Sequence, residues 1–185
     1  MYDLTNSAHI DQLSESIYQQ NKAVGWWDDP HRCLPTCVQL INTEIAEATE
    51  GDRKNQMDDH LTQRKMAEVE LADALIRTLD LAGHCGWKMI NPCYPDPLVY
   101  SAQSTATRHL VLTVSAGNLG LAVMAKDPYS KEAQHFYSIL VRTLVEVANL
   151  ESYDLHGAMM EKLEYNRKRS DHKRENRAKE GGKKY

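Results

Sequence analysis

The sequence predicts an all-α helical bundle of about six helices. Three observations lead there. Apolar residues recur at three- and four-residue spacing through most of the chain, and no run of alternating β-branched residues sits between turn signals. Only nine glycines and six prolines are available for the many turns that a sandwich or barrel needs. With 185 residues, 42% hydrophobic and 26% charged, the chain suits one domain with its own core and is too apolar to be wholly disordered.

The elements follow in order. Helical spacing predicts a first helix over residues 7–21, ending before Gly25-Trp26-Trp27-Asp28-Asp29-Pro30, whose Gly and Pro mark a loop. A second helix is expected over 35–50, with Pro35 in its first turn and Gly51 just past its end. Residues 51–63 are polar and read as a loop, and 64–85 form a long apolar-rich helix. Pro92, Pro95 and Pro97 then enforce a connector. Further helices fit 102–124, 131–150 and 154–169, separated by Lys126-Asp127-Pro128 and by Glu151-Ser152.

An internal echo suggests a degenerate repeat: Leu75-Ile76-Arg77-Thr78-Leu79 returns 65 positions later as Leu140-Val141-Arg142-Thr143-Leu144. At that offset Glu70 and Asp73 correspond to His135 and Ser138, so the expectation is one acidic working half and one scaffolding half.

Charge divides the chain. The stretch from Lys162 to Tyr185 carries about +6 and the remainder about −10, which predicts a folded domain over 1–171 and a basic, solvated tail over 172–185. The longest apolar stretch, 110–125, is interrupted by Thr113, Ser115, Gly117, Asn118 and Gly120 and falls short of the ~18–20 apolar residues that span a bilayer. No basic region followed by an apolar run opens the chain, so the expectation is a cytoplasmic protein with no membrane partner and no specific nucleic-acid partner. Cys33, Cys37, Cys85 and Cys93 form no C-x-x-C pair and read as reduced thiols.

The chemistry is carried by carboxylates. At 100° per residue, Glu70, Asp73, Arg77 and Asp80 share a narrow arc of an otherwise apolar third helix, a stripe that by itself also fits a solvent face. On the second helix Glu44 falls inside the apolar arc between Leu40 and Ala48, Glu47 lies at its margin, and Glu50 points away. A carboxylate inside an apolar stripe is costly to desolvate unless it is protonated, paired or bound to a cation.

Glu44, Glu47, Glu70 and Asp73 together read E-x-x-E followed by E-x-x-D, each pair on one helical face. Spacing alone would also allow Glu47 with Glu50; the apolar arc selects Glu44 and Glu47. Two such helices packed antiparallel converge four carboxylates, and an all-oxygen set favours Mg²⁺, with Mn²⁺ as a substitute. The competing reading is a structural ion pair between Glu44 and Arg77.

In these residues the chain resembles the MazG-like, all-α nucleoside triphosphate pyrophosphohydrolase superfamily. The likeness lies in the acidic pattern with its flanks, in Gly25-Trp26-Trp27-Asp28-Asp29, and in Lys162-Leu163-Glu164-Tyr165-Asn166-Arg167-Lys168-Arg169 with His172 following; it covers roughly residues 20–87 and 154–172. The resemblance implies Mg²⁺-dependent hydrolysis between the α and β phosphates, serving nucleotide-pool sanitation or adjustment.

It further implies Glu44, Glu47, Glu70 and Asp73 as metal ligands, and Lys162, Asn166 and Arg169 near the phosphates or sugar. Positions 162, 166 and 169 share one helix face, as a clamp on a polyphosphate requires. Glu47 is the first choice for orienting the attacking water. Trp26 and Trp27 are candidates for stacking on the base, or else for packing the N-terminal segment on the bundle. The internal echo implies one site per chain, with a homodimer as the expected further assembly.

Three rivals remain at this level. A di-iron carboxylate bundle needs two E-x-x-H motifs, and this chain has one, from Glu132 to His135. A non-catalytic nucleotide-binding helical protein keeps the fold without turnover. A phosphoribosyl-ATP pyrophosphohydrolase shares the chemistry but is usually much shorter.

Overall fold

Helix α1, Ser7–Ala23, begins where the Asn6 side chain accepts the backbone N–H groups of Ala8 and His9, and it buries Ile10, Leu13 and Ile17. In the computed structural model, which describes residues 3–91, 93–125 and 127–169, α2 follows as Leu34–Lys54 with Pro35 in its first turn.

This helix does not stop at Gly51. The glycine lies inside α2 and is buried, because its missing side chain admits the start of the next helix: a Cβ there would stand 2.8 Å from Met66 Cβ. The residue that ends α2 is Asn55, in the left-handed region with φ 48°, after which the N–H of Gln56 returns to the carbonyl of Gly51.

Helix α3, Met66–Cys85, is the axis of the bundle, packed against α1, α2, α6 and α7 and buried on nearly every face. It ends at Gly86, φ 70°, in the left-handed conformation that glycine adopts without cost. The proline connector contains a further turn of helix, α4, Leu98–Ser101, so seven helices rather than six are formed among the described residues. Helix α5 runs Thr105–Ala125, α6 Lys131–Leu150 and α7 Leu155–Lys168, the last two capped by the side chains of Ser130 and Asp154. The tail expected from residue 172 lies outside the described residues.

By length and composition α5 is the one described helix that is apolar enough to cross a membrane; here α2 and α6 pack along one side of it.

The two echoed hairpins are arranged as a repeat would be, with α5 against α2 and α6 against α3. Thr78 and Thr143 each donate a hydroxyl to the carbonyl four residues back, of Ala74 and Ile139. The halves diverge where the chemistry is. Ser138, the counterpart of Asp73, is buried and accepts the N–H of Ile90, while Arg142, the counterpart of Arg77, donates to the carbonyls of Leu4 and Thr5 and to the Ser7 hydroxyl. The second half anchors loops and the N-terminal segment.

Closeness of α1 to α3 rests on Gly83. A Cβ there would lie 2.5 Å from Tyr18 Cβ and 2.7 Å from the Ser14 carbonyl oxygen, and Ser14 itself donates to the Leu79 carbonyl. Gly83→Ala is therefore expected to lower stability by about 2 kcal/mol, overpacking outweighing the better helix propensity of alanine. Urea unfolding measures it; equal or greater stability than the parent would show that α1 can withdraw without cost.

Candidate metal and nucleotide site

Antiparallel packing of α2 on α3 brings Glu44, Glu47 and Glu70 together, with one carboxylate oxygen from each lying within 4.8 Å of the others. Glu44 and Glu70 are buried and Glu47 is open to solvent, so the cluster has a dry floor and a wet edge. Glu50 stands apart, paired at the surface with Arg53 and Lys54.

The acidic stripe of α3 is not a solvent face, because every member has a partner in the bundle. Asp73 pairs with the buried ammonium of Lys162 at 3.0 Å. Arg77 pairs with Glu44, Nε to Oε1 2.6 Å, so the ion pair weighed as the structural alternative is present beside the carboxylate cluster. Asp80 accepts the Trp27 indole N–H at 3.0 Å. Asp73 thus stands next to the three clustered glutamates, engaged with the cation opposite.

Electrostatics of the cluster follow from burial. Desolvation, opposed by Lys162 and reinforced by Asp73, Glu44 and Glu47, pushes the Glu70 carboxyl up to about 8. Glu44 is raised as well, by desolvation, with Arg77 pulling the other way. Ionised together, these carboxylates repel one another, and all offer hard oxygen atoms, which is what a divalent cation relieves and uses. The donor set therefore fits Mg²⁺ or Mn²⁺.

A pH effect follows with a definite sign. Glu70 binds its proton more tightly in the fold than in the unfolded chain, so the metal-free protein loses stability as pH rises from about 4.5 to about 8. Mg²⁺ is expected to restore that loss at pH 8 and to change little at pH 5, which thermal melts at the two pH values would register; equal Mg²⁺ shifts at both would argue against binding at this cluster.

Helix α7 places Lys162 across from α3, while its Arg167 and Lys168 pair with Glu164 at the surface. Lys162 sits by Asp73, and the buried Oδ1 of Asn166 has no hydrogen-bond partner among the described residues. The Arg169 guanidinium lies over the Tyr165 ring, which itself stacks on His60 of the α2–α3 loop.

At the other end of the α2–α3 seam, Trp27 is stacked on His84 with centroids 4.0 Å apart and meets Tyr18 edge-on. The Arg32 guanidinium lies over both Trp26 and Trp27. Trp27 is thereby held by its own chain on both the ring and the N–H.

Sequence reasoning passed over the residue that fixes α7 in place. Arg64, just before α3, donates to Glu68, Asp154 and Glu161, and Glu68 also accepts the Asp154 backbone N–H. The only sequence signal is the i, i+4 spacing of Arg64 and Glu68; its long-range partners lie about ninety residues away.

Comparison of the chain with protein-family models, with curated proteins and with solved structures finds no match.

Proposed function

We propose that the protein hydrolyses nucleoside triphosphates to a nucleoside monophosphate and pyrophosphate, using Mg²⁺ held by Glu44, Glu47 and Glu70 with Asp73 alongside. The observation that carries this reading is the convergence of three carboxylates within 4.8 Å, two of them buried, next to a buried lysine from another helix. An acidic cluster facing a cation suits a substrate that brings both a polyphosphate and a divalent ion. The resemblance of the E-x-x-E and E-x-x-D pattern points the same way.

In such a site Mg²⁺ supplies neutralisation of the phosphate charge and a lowered pKa for a bound water. The residues divide the remaining work by their surroundings. Glu47, the solvent-open member, orients the attacking water and takes its proton as the oxygen bonds to the α-phosphorus. The bond from that phosphorus to the bridging oxygen breaks, and pyrophosphate leaves with the electron pair. Lys162 binds phosphate oxygens, held in place by Asp73. The Asn166 amide oxygen, without a partner among the described residues, suits a hydroxyl or amino group of the nucleotide; Arg169 is not on the same helix face as expected, because α7 ends at Lys168 and the chain is extended at 169. Trp27, locked on His84, serves as wall more than as lid, and Trp26 lies under the same Arg32 guanidinium.

The test is product analysis: purified protein with each of the eight common ribo- and deoxynucleoside triphosphates and dUTP, with Mg²⁺ and with chelator. Monophosphate and pyrophosphate, lost in chelator and in Glu47→Gln, support the proposal. The Arg77–Glu44 ion pair favours a second reading, a nucleotide-binding protein without turnover. Nucleotide-dependent stabilisation with no product from any nucleotide would decide for it.

A further inference from the structure

From Thr105 to Ala125 helix α5 carries one charged side chain, Arg108, which is tied to Glu151; the last seventeen residues carry no Asp, Glu, Lys or Arg. Yet α5 is not enclosed. Leu110, Val114, Leu121 and Met124 are 59%, 45%, 61% and 62% exposed. Their spacing places them with Gly117 inside an arc of roughly 80° on the side away from the bundle. Four such side chains present a few hundred Å² of continuous apolar surface, the size at which an exposed patch marks an interaction site.

Gly117 makes the face more specific. Glycine inside a helix costs about 1 kcal/mol relative to alanine. This chain has no use for the missing side chain, since a Cβ at 117 would meet no atom within 4 Å. At Gly51 and Gly83 the space is taken by Met66 and by Tyr18. At Gly117 it is left open on the outer face, in the middle of the apolar stripe.

We infer that α5 pairs antiparallel with α5 of a second copy of this chain, the two backbones crossing at Gly117. A two-fold pairing needs a self-complementary face, and the stripe is one: Leu110 and Met124 lie seven residues to either side of Gly117, Val114 three before it and Leu121 four after it. Around the crossing, Leu110 meets the partner's Met124 and Val114 meets the partner's Leu121. The absence of charge matters equally. The folded part of the chain is net acidic, and this face brings two copies together with no like charges opposed, as the charge-poor core of an interface requires. A membrane-surface helix would instead carry Lys or Arg beside its apolar stripe, and the flanking exposed positions here are Ala106, Thr107 and Thr113.

The stripe is smaller than the ~800 Å² per partner of a standard stable interface, so the dimer is expected to be reversible at micromolar concentration. Sedimentation velocity over a hundredfold concentration range measures it. The parent should pass from monomer to dimer, and Leu121→Glu and Val114→Lys should each weaken self-association at least tenfold, with helical content unchanged. Mixing those two variants should restore association, because Lys at 114 of one copy then faces Glu at 121 of the other while the second contact stays apolar. Gly117→Ala should raise the melting temperature of the monomer and weaken the dimer. A parent that stays monomeric, a dimer indifferent to Leu121→Glu, or a mixture that associates no better than its components would overturn the inference. So would binding of the monomer to neutral phosphatidylcholine vesicles through this face.

Discussion

Glu70→Gln should make the metal-free protein more stable and abolish the proposed hydrolysis. At pH 8 the substitution removes a buried carboxylate that desolvation and three neighbouring carboxylates penalise, and the stability gain is expected on the order of 2 kcal/mol. At pH 5 Glu70 is already protonated in the fold, so the gain should vanish there. With Mg²⁺ the ranking reverses, since the variant offers a neutral amide in place of an anionic ligand and the parent is the one the ion stabilises. The proposed turnover should fall by about 10³-fold or more, the scale on which losing a group that holds the reacting charge is felt. Urea melts at pH 5 and pH 8, with and without Mg²⁺, separate the cases. A variant less stable than the parent at pH 8 without metal would mean that Glu70 is retained for its contact with Lys162 and not for a cation.

Arg64→Met is the substitution expected to cost the most stability. Arg64 and Glu68 are both nearly buried, with side chains 13% and 11% exposed, and the arginine ties the start of α3 to Asp154 and Glu161 of α7. Removing the cation leaves the Glu68 carboxylate facing the Asp154 backbone N–H without its counter-charge, at a cost of about 3 kcal/mol. The double variant Arg64→Met with Glu68→Met should recover much of that loss, because the uncompensated buried charge goes too. If the double variant is no better than the single, the cost lies in lost packing and helix docking instead of stranded charge. Either way α7 carries Lys162, so both variants should also weaken any stabilisation by nucleotide that the proposed function entails.

These two expectations rest on residues of unequal legibility. Glu70 could be found in the chain because its partners share one helix face and one spacing. Glu44 announced itself by standing where Leu40 and Ala48 belong, and it is buried, as a residue in that arc must be. The stripe on α3 was ambiguous because periodicity reports which residues share a face, not what covers it. Arg64 stayed hidden for the same reason: its partners are brought near by the path of α6 and α7. Gly51 misled, since a glycine after a helical run signals a stop as readily as a close helix crossing, and only the position of Met66 distinguishes them. The turn of helix at Leu98–Ser101 was masked by the prolines that precede it.

By itself, the sequence determined the helical class, the order and nearly the bounds of the long helices, and the placement of two carboxylates on one face of α2 and two on one face of α3. Each of those follows from interactions within a few residues of one another, where spacing is sufficient information. Tertiary structure alone decided how the carboxylates are used: Glu44, Glu47 and Glu70 clustered, Asp73 given to Lys162, Arg77 given to Glu44, and Trp27 packed on His84. The reason is that burial and charge pairing depend on which helices meet, and an ionisable group takes its state from whatever the neighbouring helix puts opposite it.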